Sequence, residues 1–203
     1  MQTLIKVILF DLGGVLVDWD GKGPLVELSG GKLNKEEARR FWLESILVRE
    51  FETGRLAPDQ FAEGVVSELG LSLSPDKFLE EFVTWDRGLY PGVALLLDKL
   101  RPRFLLACLS NNNELHWKKL IEDYALTNIF HRLYASFQTG LMKPDREAFE
   151  NVINDLGYSP EEFLFFDDNL ECIKEAEEIG MKACRVRGID EVRKVLKAHK
   201  IEV

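Results

Sequence analysis

Apolar and polar positions follow two rhythms along this chain. Residues 4–10 are apolar except for Lys6, and the run stops at Asp11, with Gly13 and Gly14 close behind. A short apolar run with β-branched residues, closed by a turn, predicts a buried strand. The same pattern recurs at 104–109 before Ser110-Asn111, at 133–137 before a Thr-Gly turn, at 163–166 before Asp167-Asp168-Asn169, and more weakly at 182–186. Between these runs the spacing becomes helical, over 92–100, 113–124, 144–156 and 170–179. Pro144 opens one of these helices, and Gly157 and Gly180 stand just past two of their ends. From residue 90 onward strand and helix alternate. That predicts an α/β fold, a doubly wound parallel sheet with helices on both faces.

The stretch 21–88 reads as helix after helix, with no strand. Asn34 can cap a helix whose apolar face carries Phe41, Trp42, Ile46 and Leu47. Two further helices open with Pro58 and Pro75. The expected organisation is an α/β core of residues 1–20 and 89–203, interrupted by a helical insertion of 21–88. An insertion directly after the first strand is placed to act as a lid. Trp19, Phe41, Trp42 and Trp85 are expected either in core packing or in the wall of a substrate pocket.

Composition narrows the class. Apolar residues make up 46% of the 203 and charged residues 30%, as expected of a globular protein with a real core. A net charge of −9 argues against nucleic acid as a partner. No apolar run approaches the ~20 residues that span a membrane, and the N-terminal run is too short for a signal peptide. Cys108, Cys172 and Cys184 form neither a disulfide framework nor a zinc spacing. A reducing cytoplasm is the expected location, and a monomer or homodimer the expected state.

The chemistry gathers at strand ends. A parallel sheet brings Asp11, Ser110-Asn111 and Asp167-Asp168 to one edge, with Lys143 at the start of a nearby helix. Each has an ordinary reading as well. Asp11 suits a turn, Asp168, Ser110 and Asn111 suit helix caps, Lys143 suits the surface, and Asp18 and Asp20 suit a solvated loop. Taken together, converging carboxylates need a cation between them, and oxygen ligands without a His or Cys cluster point to Mg²⁺. A carboxylate, a hard cation, a hydroxyl beside free amides and a lysine are the parts for phosphoryl transfer to an aspartate.

The order of these motifs, strand-Asp11, strand-Ser110-Asn111, Lys143-Pro144 and strand-Phe166-Asp167-Asp168-Asn169, resembles the haloacid dehalogenase superfamily. Tyr90-Pro91-Gly92-Val93 and the helical insertion are similar to features of that family. Phe10-Asp11-Leu12-Gly13-Gly14-Val15-Leu16-Val17-Asp18 looks most like a bacterial branch that includes an α-D-glucose-1-phosphate phosphatase. The resemblance implies a Mg²⁺-dependent phosphatase of a small phosphorylated metabolite, with Asp11 as nucleophile and metal ligand. It further implies Gly13 (through its carbonyl) and Asp168 as metal ligands, Ser110 and Asn111 as phosphate-binding residues, and Lys143 as the residue that neutralises phosphate and orients Asp11.

Two positions depart from the family pattern. Where most such phosphatases carry a second Asp to protonate the leaving oxygen, this chain has Gly13. Such acid–base help contributes ~10² to 10⁴-fold. The acid would then come from Asp18, Asp20, a residue of the insertion or solvent. Alternatively the protein is a 2-haloacid dehalogenase, which needs no acid, or a binding module that has lost turnover. The second departure is Cys172, at a position where Asp or Asn is usual. Either the metal site is looser, or Asp167 takes that role.

Overall fold

The structure, a computed structural model, describes residues 4–203. Residues 1–3, part of the expected core segment 1–20, lie outside the described residues. Seven strands form among the described residues: β1 (Val7–Phe10), β2 (Val17–Trp19), β3 (Asp86–Leu89), β4 (Leu105–Ser110), β5 (Arg132–Ala135), β6 (Phe163–Asp167) and β7 (Lys182–Arg185). Five make one parallel sheet in the order β5-β4-β1-β6-β7. The chain runs from β1 outward to one side, then returns and builds the other. β1 therefore sits at the topological switch point, where open α/β sheets bind ligands.

Both faces of the sheet are covered, which is why β1 reads as an unbroken apolar run. Ile8 and Phe10 face one core, with Leu97, Val192 and Leu196; Val7 and Leu9 face the other, with Phe149, Phe165 and Ile173. The covering helices carry the helical rhythm of the sequence. The observed elements adjust some expected ones. The 133–137 run is strand only to Ala135, then a single helical turn follows. The 144–156 helix starts at Arg146. Pro144 lies outside its first turn because the Lys143 backbone just before it is held by Asn111.

Between β2 and β3 lie five helices: α1 (Gly23–Leu28), α2 (Lys35–Glu44), α3 (Ile46–Glu52), α4 (Pro58–Glu68) and α5 (Pro75–Phe82). Asn34 caps α2 as expected, in a box closed by Glu37. These helices bury a cluster of their own, including Phe41, Trp42, Phe61, Phe78 and Phe82. The expectation of no strand in this stretch is corrected by β3, which pairs antiparallel with β2. Asp86-Arg87-Gly88-Leu89 carries almost no apolar signal. Pairing with β2, and not side-chain burial, makes it a strand.

The helical layer is tied to the sheet layer at several places. Arg49 of α3 pairs with Asp145. His116 Nε2 lies 2.8 Å from the Phe82 carbonyl. Gly54, just past α3, has φ +73°, and a Cβ there would stand 2.4 Å from the Phe137 carbonyl oxygen. Only glycine allows that approach. Among the described residues no helix is long and apolar enough to cross a membrane.

Candidate active site

Asp11 leaves the end of β1 with its amide still in the ladder, donating to the Phe166 carbonyl at 2.8 Å. Its carboxylate meets Lys143, whose Nζ donates to Asp11 Oδ1 at 2.9 Å and to Asp167 Oδ2 at 2.6 Å. The surface reading of Lys143 is thereby corrected: the side chain is 3% exposed. The Phe165 ring, 5.5 Å from Nζ, adds an aromatic wall. Lys143 is aimed by its own backbone. The Asn111 side chain accepts from Lys143 N and donates to Lys143 O, both at 2.8 Å. The Asn111 carboxamide is thus committed to Lys143.

The capping roles that competed for these residues fall elsewhere. Asn113 caps the helix Glu114–Tyr124, accepting from His116 N, and Asn169 caps Leu170–Ile179, accepting from Glu171 N. Ser110, Asn111 and Asp168 are left to face the cavity. The Ser110 hydroxyl is buried and makes only a long contact, 3.4 Å, to the Asn111 carbonyl. Asp18 and Asp20 are drawn away from the cavity. Asp20 accepts from the amides of Lys22 and Gly23, and Arg87 approaches both carboxylates. Neither is placed to serve as the missing acid.

Burial shapes the charges. It pushes the Asp11 carboxyl up to about 7; Lys143 pulls it back and the neighbouring Asp167 pushes it further up. Burial alone would lower Lys143, but Asp11 and Asp167 outweigh it and hold the ammonium charged. Burial also raises the Cys172 thiol, against the pull of Lys143, so that residue stays a neutral thiol in the cavity wall.

Asp11, Asp167 and Asp168 each present an oxygen within 4.8 Å of the others. Three carboxylates against one ammonium leave negative charge in excess, and like charges this close need a cation or a proton. The donors are all oxygen, which suits a hard divalent cation. The backbone makes room for it. Gly14 has φ +76°, and a Cβ there would press to 3.1 Å from Asp168 Oδ2. Gly13 lines the same cavity. These residues fit a Mg²⁺ ion.

The cavity holds about 270 Å³ between the sheet edge and the helical layer. Trp19 and Trp42 line it, whereas Phe41 and Trp85 pack in the helical cluster. Two lining residues come from α3, Arg49 and Glu52. Burial pushes the Glu52 carboxyl up to about 8; Asp11 adds to the effect and Lys143 opposes it. Sequence reasoning passed over Glu52, as it did the clamping role of Asn111 and the link made by His116. Phe51-Glu52-Thr53-Gly54 reads as an ordinary helix end, and nothing local says that the end lines the cavity of Asp11.

Comparison with known proteins agrees with this geometry. The family described as haloacid dehalogenase-like hydrolase matches residues 5–180. Sesquiterpene phosphatase astK of Aspergillus oryzae is 28% identical over 190 residues, covering 89% of each chain. D-ribitol-5-phosphate phosphatase of Bacteroides thetaiotaomicron is 29% identical over 190 residues, covering 88% of this chain and 90% of its own. A crystal structure of a haloacid dehalogenase family enzyme from Bacteroides thetaiotaomicron, in complex with magnesium and inorganic phosphate, superposes with a TM-score of 0.75. It is 28% identical, covering 90% of this chain and 94% of that one.

Proposed function

The chain belongs to the haloacid dehalogenase-like hydrolases, and from that premise we propose a Mg²⁺-dependent phosphatase that acts on a small phosphorylated metabolite through an aspartyl-phosphate. Two of its relatives are phosphatases by name, a D-ribitol-5-phosphate phosphatase and a sesquiterpene phosphatase. Such different alcohols support a shared phosphate chemistry, with the alcohol selected by the helical layer. In this reading residues 21–88 form a cap over the core of 1–20 and 89–203. A cytoplasmic monomer or homodimer suits three free cysteines.

The observation that carries the proposal is the Lys143 ammonium shared between Asp11 and Asp167 at the switch point of the sheet. Asp11 attacks phosphorus. Lys143 fixes the Asp11 carboxylate and offsets charge on the transferring phosphoryl group, and Asn111 holds Lys143 in place. Ser110 donates its hydroxyl to a phosphoryl oxygen. Asp11, Asp168 and the Gly13 carbonyl, with Asp167 beside them, would hold the Mg²⁺, which supplies further positive charge beside the phosphate. Water then cleaves the aspartyl-phosphate.

Release of phosphate from p-nitrophenyl phosphate tests the proposal. Turnover is expected with Mg²⁺, lost in EDTA, and reduced by on the order of 10³-fold or more in Asp11→Asn. Equal rates with and without EDTA would overturn it, as would halide release from 2-haloacids with no phosphate release.

A further inference from the structure

Hydrolysis of an alkyl phosphate expels an alkoxide, a poor leaving group unless a proton reaches it as the P–O bond breaks. Displacement at phosphorus places attacking and leaving oxygens roughly in line. With Asp11 attacking from the sheet edge, the leaving oxygen points away from the sheet, toward the helical layer. A proton donor is needed on that side of the cavity.

The helical side offers few candidates. Asp86 lines the cavity, but its carboxylate accepts from Gly88 N at 2.8 Å. Both ring nitrogens of His116 are engaged, one with the Phe82 carbonyl and one with Asn113. Arg49 is committed to Asp145. Gly13 has no side chain, and the space beside it is open: a Cβ there would meet only Trp19 Cβ, at 3.9 Å. Glu52 differs from all of these. Its carboxylate makes no hydrogen bond among the described residues, and the charges that act on it are those of Asp11 and Lys143. It stands at the last turn of α3, between the Arg49–Asp145 pair and the Gly54–Phe137 contact. Those two tethers flank Glu52 and hold its stretch of α3 against the sheet layer, on the wall of the cavity that Asp11 also lines.

We propose that Glu52 is the general acid and base of this phosphatase, giving a proton to the leaving oxygen and then taking one from water. The inference rests on the aspartyl-phosphate reading above. In the first step Asp11 Oδ bonds to phosphorus. The bond from phosphorus to the ester oxygen breaks with its electron pair on that oxygen, and the Glu52 proton joins it to give the free alcohol. In the second step the Glu52 carboxylate takes a proton from water as the water oxygen bonds to phosphorus. The bond from phosphorus to Asp11 breaks, leaving inorganic phosphate, the Asp11 carboxylate and protonated Glu52. Burial keeps Glu52 protonated near neutral pH, as the first step requires.

Leaving groups that need different amounts of help test this. The probes are p-nitrophenyl phosphate and phenyl phosphate, measured under single-turnover conditions with wild type, Glu52→Gln and Glu52→Asp. Glu52→Gln keeps the shape of the side chain but cannot donate the proton. It should slow release of phenolate by ~10²-fold while changing release of the stable p-nitrophenolate by about threefold or less. Glu52→Asp should recover part of the loss on phenyl phosphate. A Glu52→Gln variant that retains the wild-type melting temperature yet slows both substrates by the same factor, or slows neither, overturns the role of Glu52. Absence of turnover in the wild type on both substrates instead overturns the phosphatase reading beneath it.

Discussion

One ammonium serves two carboxylates at the head of β1, and the third carboxylate, Asp168, has a more distant Arg187 guanidinium at 3.9 Å. Removing the ammonium leaves Asp11 and Asp167 buried and facing each other without compensation. Lys143→Met should therefore destabilise the metal-free protein by on the order of 3 kcal/mol, since breaking a buried ion pair from one side strands the other. Urea denaturation in EDTA measures it, and an unchanged midpoint would contradict the account. Activity should fall with it. The sequence named Asp11, Ser110, Lys143 and Asp168, because each follows or adjoins a strand end. It could not separate their chemistry from capping or solvation, because the decision lies with other residues. Asn113 and Asn169 cap the helices, and Asn111 turns Lys143 inward. The carboxamide of Asn111 reaches 32 residues along the chain, a contact no local pattern encodes.

Elements meet where the helical layer docks. His116, on the helix Glu114–Tyr124, reaches the carbonyl of Phe82 at the end of α5. The Phe82 carbonyl can only accept, so it requires a proton on His116 Nε2, which leaves Nδ1 to accept from the Asn113 side-chain amide. The neutral ring is satisfied, and burial holds its pKa down to about 4, the Phe82 hydrogen bond opposing this in part. The unfolded chain thus binds a proton near pH 6.5 that the folded protein refuses until about pH 4. Stability falls as pH drops through that window, and the docked arrangement weakens with it. His116→Phe should remove a contribution on the order of 3 kcal/mol from the difference in unfolding free energy between pH 7 and pH 4. Denaturant titrations across that range check it, and identical pH dependence in the two proteins would contradict it. The helices themselves were readable from Asn34, Pro58 and Pro75. Their docking was not, since it rests on a backbone carbonyl, a glycine against Phe137 and a long-range ion pair.

For the whole molecule, the alternation of buried strands and amphipathic helices after residue 90 was enough to read a parallel sheet, because a strand covered on both faces leaves a continuous apolar run. The β2–β3 ribbon escaped notice because Asp86-Arg87-Gly88-Leu89 gains its order from a partner 67 to 72 positions away in the chain, on the order of a loop closure that sequence pattern does not report. That ribbon brackets the helical layer, whose Glu52 lines the same cavity as Asp11. The proposed reaction is divided between two layers, with Asp11 and the cation site on one and the leaving group on the other. Its central claim is that phosphate passes through Asp11. Acid-quenched turnover of p-nitrophenyl phosphate followed by peptide mass spectrometry tests it most directly. The account predicts a phosphoryl adduct on the peptide containing Asp11, absent from Asp11→Asn; phosphate release that persists in Asp11→Asn, with no adduct on that peptide in the wild type, would contradict it.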